Sequence, residues 1–418
     1  MPSDAPEPTR PPHDEPLARN RDFKVLLTSQ GVSALGDAVS FTALPLLVLA
    51  LTGSGVAMGA VAALQALPDL LFAMVAGALA DRSDRKRMMF LADLGRAGLT
   101  ALIPLSVWLG GPTMAVVLLV AAPMGLLRGF FLAGYTASVP AVVGRSQIGR
   151  ANSIFEAIYS TGYIVGPAIA GLLAATIGPG PTLAIDAVSF ALSAVALWLV
   201  RRDRRAPVDR PKARLVTEIR EGVDYIVSHP VLRTAIAFWG LLSITTAPLV
   251  AALAVHVTRD LGLEETVLGF ILTAYGIGTV AGSLVAARAT HRPVGPILLG
   301  GSAVMGAMLV AVSVSDAVPV LLIAALVSGV AQSLVLVTYI TLRTVLSPDA
   351  LLGRIGSTAR TISLGLQPLG LVAGGVLIDA TDGSTTIAVL GAMLLVLAIA
   401  FLPVRALRGL DAATVVRP

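Results

Sequence analysis

Long runs of apolar residues, separated by short polar connections, dominate this sequence. A bilayer-spanning helix needs roughly 20 apolar residues in succession, and about twelve segments of the chain are that long. Of the 418 residues, 56% are hydrophobic and only 13% are charged, which excludes an ordinary soluble domain. We therefore predict an all-α membrane protein with twelve transmembrane helices, near 24–51, 57–80, 88–109, 113–139, 151–176, 182–200, 231–257, 267–289, 296–314, 318–346, 357–379 and 386–404.

The positive charges predict which side of the membrane each connection faces. Lys and Arg are absent near 52–56, 110–112, 177–181, 315–317 and 380–385, whereas the alternate connections contain clusters of them, with Arg259 as the exception. The positive-inside rule then places both termini in the cytoplasm of an inner-membrane protein, as an even number of spans requires. Because these loops account for the net charge of +5, we expect no nucleic-acid partner.

The two halves of the chain repeat. A shift of 204 residues places Tyr135 on Tyr339, Gly166 on Gly370 and Gly171 on Gly375. Such repeats are typical of secondary transporters built from two rocking bundles. The repeat predicts two pseudo-symmetric six-helix bundles: a disordered tail (1–22), the first bundle (23–200), a cytoplasmic linker (201–230), the second bundle (231–405) and a second tail (406–418). From Arg214 onward the linker is either a helix at the membrane surface or plain solvated chain.

A short charged stretch, Gly77 to Arg87 (GALADRSDRKR), separates the second and third apolar runs. Charges are costly in hydrocarbon, so we expect all eleven residues to form a tight water-facing turn. Gly77 would let two helices approach closely just before it. The charged members of this predicted gating loop are Asp81, Arg82, Asp84, Arg85, Lys86 and Arg87.

This stretch resembles the signature loop of the major facilitator superfamily, G-x-x-x-D-R-x-G-R-K/R. Asp84 departs from the pattern, which has glycine there, and an ordinary positive-inside loop is the alternative. The segments LADLGRA (91–97), RANSIFEA (150–157) and HPVLR (229–233) are similar to a branch containing enterobactin-type siderophore exporters and macrolide efflux proteins. The resemblance implies the major facilitator fold and transport by alternating access.

Acidic residues inside predicted spans are candidates for proton coupling, because a carboxyl group is costly there in its charged form. Asp37, near the middle of the first helix, is the first candidate and Asp69 the second. The alternative is that each faces a water-filled cavity or pairs structurally with an arginine.

Arg128 lies where the superfamily often carries a membrane arginine linked to proton handling, but it is equally a counter-ion for Asp37 or Asp93. We expect Asp93 and Arg96 to pair locally and Asp186, near the membrane surface, to be structural.

The repeat places opposite charges, Glu156 and Arg360, at equivalent positions of the fifth and eleventh helices. In the superfamily the eleventh helix packs near the second and the fifth near the eighth. This would bring Arg360 close to Asp81 and Glu156 close to Arg288. We hypothesise two cytoplasmic latches that close when the cavity opens outward, against the alternative of local solvation at helix ends.

Small residues recur in the fifth helix (GYIVGPAIAG) and in its counterpart in the eleventh. They allow helices to pack backbone to backbone, and a proline permits a bend. The fifth-helix segment resembles a motif of superfamily antiporters, although packing alone explains it. The residues are Gly162, Gly166, Pro167 and Gly171, with Gly370 and Gly375 as the counterparts.

Motifs for other chemistry are absent from the sequence or explained by packing. Gly276 to Ala281 matches a dinucleotide fingerprint, but it lies inside an apolar span with no preceding strand. No lysine follows a glycine, which excludes a Walker-type ATP site, and there is no cysteine. The four histidines lack metal-ligand spacing. We expect no cofactor, no metal and no ATP, and we do not expect an enzyme.

The sequence thus predicts a monomeric secondary transporter in a lipid bilayer. Proton-coupled efflux (antiport) of an amphipathic small molecule, such as a drug, natural product or siderophore, is favoured by the resemblance together with the buried acids. Nutrient uptake by proton symport is the rival within the class. A channel or receptor on the same scaffold is the rival from another class, and we find no repeated polar stripe that would favour a channel.

Overall fold

The computed structural model describes residues 16–111, 113–143, 147–199, 215–288, 293–348 and 351–404. In the first half, the helices are α1 (Arg21–Thr52), α2 (Gly55–Arg82), α3 (Arg85–Trp108), α4 (Thr113–Val143), α5 (Ile148–Ile177), α6 (Pro179–Thr182) and α7 (Ala184–Leu199). Helix α8 (Leu215–Ser228) lies in the linker. In the second half they are α9 (Pro230–Thr246), α10 (Leu249–Val255), a π-helical turn (His256–Asp260), α11 (Glu265–Arg288), α12 (Val294–Ser313), α13 (Val318–Leu346), α14 (Leu352–Ala380) and α15 (Gly383–Phe401).

Twelve of these helical segments are long and apolar enough to cross a membrane, and the described residues contain no β-strand. Helices α6 and α7 form the sixth span, and α9, α10 and the π-helical turn form the seventh. An α-helix satisfies its backbone hydrogen bonds within one segment, and the interior of a bilayer requires those bonds to be satisfied within the protein. The predicted all-α fold of twelve spans is therefore confirmed.

Polar side chains begin several of the helices. Asn20 accepts a hydrogen bond from the Phe23 amide at 3.0 Å, and Ser54 accepts one from Ala57 at 3.2 Å. Asp382 does the same for Thr385 at 2.6 Å. Each cap satisfies an amide that lacks a partner within its helix. Sequence positions that break the apolar runs therefore also fix where the spans begin.

The two halves use the same packing pairs. In the first bundle, α1 packs on α5 and α7, α2 on α4, and α3 on α4 and α7. In the second bundle, the corresponding pairs are α9 with α14 and α15, α11 with α13, and α12 with α13 and α15. Between the bundles, α2 packs on α14 and α5 on α11, as the resemblance implies. These shared pairs make the two six-helix bundles pseudo-symmetric.

Helix α8 packs against the second bundle beside α14. Gly222 lies so close to α14 that an added Cβ would be 2.6 Å from the Thr358 hydroxyl. The Tyr225 hydroxyl donates to the Leu346 carbonyl at 3.0 Å, and Glu221 pairs with Arg354. We call the end of the molecule that holds α8 and the start of α1 the linker end, and the other end the far end.

Candidate functional site: a cavity between the bundles

A cavity of about 510 Å³ lies between the two bundles. The first bundle contributes most of its wall, from α1, α2, α3, α4, α5 and α7. The second contributes the junction of α9 with α10 and part of α14. The charged lining residues are Asp37, Arg96, Arg128, Asp186 and Arg360. Apolar and aromatic side chains, including Phe41, Leu44, Val48, Met58, Val61, Met124, Tyr163, Val250 and Leu371, form most of the remainder. Such a lining suits an amphipathic molecule.

Arg96 is the centre of a charged cluster in the wall of the first bundle. Its guanidinium donates to Asp37 at 2.6 Å and to Asp93, one turn earlier on α3, at 3.4 Å. It also lies over the Phe190 ring, 3.7 Å from the ring centre. The Arg96 side chain is 4% exposed and that of Asp37 is 31% exposed, so Asp37 is the more accessible of the two from the cavity.

Serine hydroxyls extend the cluster into the bundle. Asp93 is fully buried and accepts a hydrogen bond from Ser193 at 2.5 Å. The Ser193 hydroxyl in turn lies 2.7 Å from that of Ser29 on α1. The chain of polar contacts therefore runs from α1 through α7 and α3 and back to Asp37 on α1. A buried charge is tolerated when it is paired and hydrogen-bonded in this way.

Asp186 on α7 lies beside this cluster and is 2% exposed. Ser40 donates to one of its carboxylate oxygens at 2.5 Å. Ser189 lies 3.3 Å from the other oxygen but is closer, at 2.8 Å, to the Asp186 backbone carbonyl. Gly36 makes this contact possible, because an added Cβ there would be 2.6 Å from the Asp186 carboxylate. Residues of α1 and α7 thus enclose Asp186. Its expected position near the membrane surface stays a prediction.

Glycines bring the two bundles together at the far end. On the α5–α11 seam, an added Cβ at Gly171 would lie 3.0 Å from the Gly269 backbone. On the α2–α14 seam, an added Cβ at Gly375 would lie 2.4 Å from the Gly55 carbonyl. Backbones approach this closely only where side chains are small. Every glycine-mediated approach between the bundles among the described residues lies between the middle of the spans and the far end, so the far end is sealed.

Asp379 adds a polar contact across the α2–α14 seam. Its carboxylate, at the end of α14, accepts hydrogen bonds from the Ser54 hydroxyl at 2.6 Å, from the Val56 amide at 3.1 Å and from the Gly55 amide. A carboxylate at a helix N-terminus is stabilised by the helix dipole. Asp379 of the second bundle therefore caps α2 of the first.

The predicted gating loop is shorter than expected. Helix α2 continues to Arg82 and α3 begins at Arg85, so only Ser83 and Asp84 lie outside helices. Asp84 caps α3 by accepting from the Arg87 amide at 3.1 Å, which explains how an acid replaces the glycine of the signature pattern. The eleven-residue turn is wrong because an N-cap lets the helix restart within two residues.

The charged residues after this turn bind carbonyl groups of neighbouring helices. Arg85 donates to the Ala137 carbonyl of α4 at 2.7 Å, and Lys86 to the Trp198 carbonyl of α7 at 2.8 Å. No atom of the described residues lies within 4 Å of a Cβ added at Gly77, so the close helix approach expected there stays a prediction. The turn is fixed to the first bundle at the linker end.

The remaining candidate residues either line the cavity, are exposed, or have side chains outside the described part of the structure. Asp37 and Arg128 line the cavity, as does Arg360, which is exposed. Glu156 is exposed on α5. The side chains of Asp69, Asp81, Arg82 and Arg288 lie outside the described part of the structure, as do residues 1–15, 201–214 and 405–418 of the predicted tails and linker. The two predicted latches therefore remain predictions.

The predicted small-residue motif lies at helix interfaces. Gly162 and Gly166, with the buried Pro167 beside them, pack on α1 near Ala34 and Ala38. Gly370 packs on the Ile244 backbone of α9. Gly171 and Gly375 instead belong to the two seams between bundles. The motif thus packs helices within each bundle and also between them.

Sequence reasoning missed the contact of Arg96 with Asp37 and the roles of Asp186, Ser40 and Asp379. A signal for the cluster was present. Polar residues recur at helical spacing along α1 (Ser29, Ser33, Asp37, Ser40) and along α7 (Asp186, Ser189, Ser193). These two stripes contact each other inside one bundle. They are not a stripe that would favour a channel, so that expectation stays a prediction.

Comparisons with known proteins agree with this architecture. A family model described as transmembrane secretion effector matches residues 15–417. The multidrug efflux pump Tap of Mycolicibacterium fortuitum is 28% identical, over 93% of this chain and 97% of that protein. The enterobactin exporter EntS of Escherichia coli O1:K1 / APEC is 26% identical over 82% of each chain. A solved bacterial homologue of the iron transporter ferroportin, in an inward-facing state, shares the fold with a TM-score of 0.72 at 18% identity, covering 93% of this chain and 99% of that one.

Proposed function

Since the chain belongs to the transmembrane secretion effector family of major facilitator transporters, we propose that it exports an amphipathic small molecule in exchange for protons. The observation that carries the proposal is the cavity between the bundles, with apolar and aromatic walls and one charged wall. The relatives named as a multidrug efflux pump and an enterobactin exporter support export and a drug, natural product or siderophore as the substrate.

The sealed far end supports alternating access. Glycine seams join the bundles there, while the linker end has no glycine-mediated approach between them among the described residues. The charge distribution supports a cytoplasmic location for the linker end and both termini of an inner-membrane protein. The conformation is then the inward-facing one, ready to take substrate from the cytoplasm. Rocking of the two bundles would part the seams and release substrate outside.

The cluster around Arg96 supplies the coupling site of this proposal. Asp37 faces the cavity and pairs with Arg96 at 2.6 Å, so a cationic or hydrogen-bonding substrate group that approaches Asp37 competes with that arginine. A change in this pairing alters how well the acids around Arg96 are compensated, which can link substrate binding to proton exchange. In this proposal the protein works as a monomer. It draws on the proton gradient, and the lack of a Walker-type ATP motif in the sequence supports that energy source.

The test uses inverted membrane vesicles that hold an imposed pH gradient, acidic inside. We expect at least one member of a panel of ethidium, tetracycline and a catecholate siderophore to dissipate the gradient when wild-type protein is present. Vesicles with Asp37→Asn protein at the same level are the matched control and should lose most of the response. If substrate accumulated only in right-side-out vesicles, with protons moving in the same direction, uptake by symport would replace the proposal.

A further inference from the structure

The charged cluster of the first bundle holds more acids than cations. Asp37, Asp93 and Asp186 lie around Arg96, so full ionisation would leave two net negative charges. Two of these acids are almost completely buried, at 0% and 2% exposure. Uncompensated charge is costly inside a membrane protein, which favours a bound proton on one of the three. The contacts of each acid indicate which one.

Two of the acids have a cationic partner. Asp37 accepts from Arg96 at 2.6 Å and also meets the cavity. Asp93 has Arg96 at 3.4 Å and a short hydrogen bond from Ser193 at 2.5 Å. An adjacent guanidinium favours the charged form of a carboxyl group. Both acids therefore have a cationic partner that compensates a negative charge.

Asp186 has no cationic partner within salt-bridge distance among the described residues, and its hydroxyl partners are few. Ser189 has one hydroxyl hydrogen, and the geometry gives that hydrogen to the Asp186 backbone carbonyl at 2.8 Å rather than to the carboxylate at 3.3 Å. Ser40, at 2.5 Å, is the one close partner of the carboxyl group. A buried carboxylate with a single hydroxyl donor is poorly compensated.

We propose that Asp186 is the carboxyl group that carries the exchanged proton, with Ser40 as its hydrogen-bonding partner, while the Asp37–Arg96 pair responds to substrate. This inference rests on the proton antiport proposed above. Proton binding forms one O–H bond on the Asp186 carboxyl, which then donates to the Ser40 oxygen. Proton release restores the carboxylate, which accepts from the Ser40 hydroxyl instead. Both residues line the cavity, so the proton has a path to water.

The charged groups around Asp186 determine when it releases the proton. Asp37 on α1 opposes its ionisation, and Arg96 on α3 favours it. Arg128 on α4 lines the same cavity. When a cationic substrate neutralises Asp37, Arg96 is released to stabilise an ionised Asp186. Substrate binding and proton release are thereby linked, as antiport requires.

The experiment compares two transport modes of Asp186→Asn protein in proteoliposomes with ethidium as the probe. Driven accumulation needs a pH gradient, whereas counterflow exchanges labelled for unlabelled ethidium without net proton movement. We expect driven accumulation to fall at least tenfold and counterflow to stay within about twofold of wild type. Driven accumulation at the wild-type level would overturn the assignment, and so would loss of both modes in a protein that still elutes as folded.

A second variant keeps the test decisive if Asp186→Asn does not fold. Ser40→Ala removes the hydroxyl donor to the carboxylate, so the pH profile of driven accumulation should move upward by at least half a unit. Ser193→Ala, which removes the donor to Asp93 instead, is the matched control and should leave the profile in place. An unshifted Ser40→Ala profile would overturn the assignment. Failure of wild-type protein to couple any panel member to protons would instead refute the antiport itself.

Discussion

The interiors of the two bundles differ in charge although their helices pack in the same way. In the first bundle, α1, α3 and α7 bring Asp37, Asp93, Arg96 and Asp186 together. The equivalent spans of the second bundle contain no charged residue over 234–255, 294–313 and 384–401. Over these three pairs of spans, charged side chains therefore lie inside the first bundle and not inside the second.

The second bundle keeps its acids at helix ends. Asp382 caps its own helix α15, Asp379 caps α2 across the seam, and Asp260 accepts from the Ser384 amide at 2.8 Å. Backbone amides and water compensate a carboxylate there at little cost. The difference fits the proposed division of labour, in which the first bundle holds the coupling site and the second, which contributes Arg360 to the cavity wall, moves against it.

The largest expected effect comes from placing an acid inside the neutral bundle. Leu390 on α15 stands where the 204-residue shift places Asp186, and it is 4% exposed. Leu390→Asp loses the burial of the leucine and buries a carboxyl group without a partner. We expect a loss of about 3–6 kcal/mol in stability, measured as unfolding in detergent.

The matched control for this change is Leu390→Asn, which loses the same apolar contacts but brings no charge. It should cost less than the acid at neutral pH, and the two variants should converge as the pH falls and the acid is neutralised. Equal stability of Leu390→Asp and wild type would contradict the view that the second bundle excludes charge.

The second-largest expected effect comes from replacing Arg96, the cation of the charged cluster in the first bundle. Arg96→Gln leaves the fully buried Asp93 without its positive partner. Removal of one member of a buried ion pair costs about 3–5 kcal/mol, so we expect a large fall in the melting temperature of the purified protein. Arg360→Gln, at an exposed position on the cavity side of α14, is the matched control and should change stability by less than about 0.5 kcal/mol.

A double variant separates lost charge compensation from lost packing. Arg96 also covers the Phe190 ring, so Arg96→Gln removes apolar contact as well as charge. Adding Asp93→Asn removes the uncompensated carboxylate and should recover a substantial part of the stability. If the double variant were no more stable than Arg96→Gln alone, the ion pair would not be the source of the effect.

Much of the fold followed from the sequence, because the constraints on a membrane chain are local. The apolar runs predicted the twelve spans, and the 204-residue repeat predicted the paired bundles. The family resemblance is also confirmed. The packing of α2 on α14 and of α5 on α11 was implied by that resemblance alone. Helix ends were less predictable, since one residue such as Asp84 restarts a helix inside a charged stretch.

The site was predicted only in part, because its contacts join distant segments. Asp37 was recognised by its depth in a span, but its partner Arg96 is 59 residues away and was assigned to Asp93 alone. Asp186 was judged by its distance from a helix start, whereas its burial results from Gly36 on another helix. Depth along one helix is readable from sequence. The face that a neighbouring helix covers depends on packing that single helices do not encode.

The smallest expected effect concerns the acid that joins the bundles at the far end. Asp379→Asn removes the negative charge that stabilises the start of α2 and weakens the hydrogen bonds to Ser54 and Val56. Such a cap contributes about 1 kcal/mol. Because this contact must break when the far end opens, its loss should favour the outward-open state about fivefold.

The chain has no cysteine, so a single Ala66→Cys in the cavity reports which end is open. We expect Asp379→Asn to raise labelling of this cysteine by an impermeant maleimide in intact cells, and to lower it in inverted vesicles. Asp382→Asn is the sharpest control, since Asp382 caps a helix of its own bundle at the same end. It should lower stability by a similar amount without changing the labelling. If both variants shifted the labelling equally, the effect would reflect loosened helix ends, and Asp379 would have no special part in holding the two bundles together.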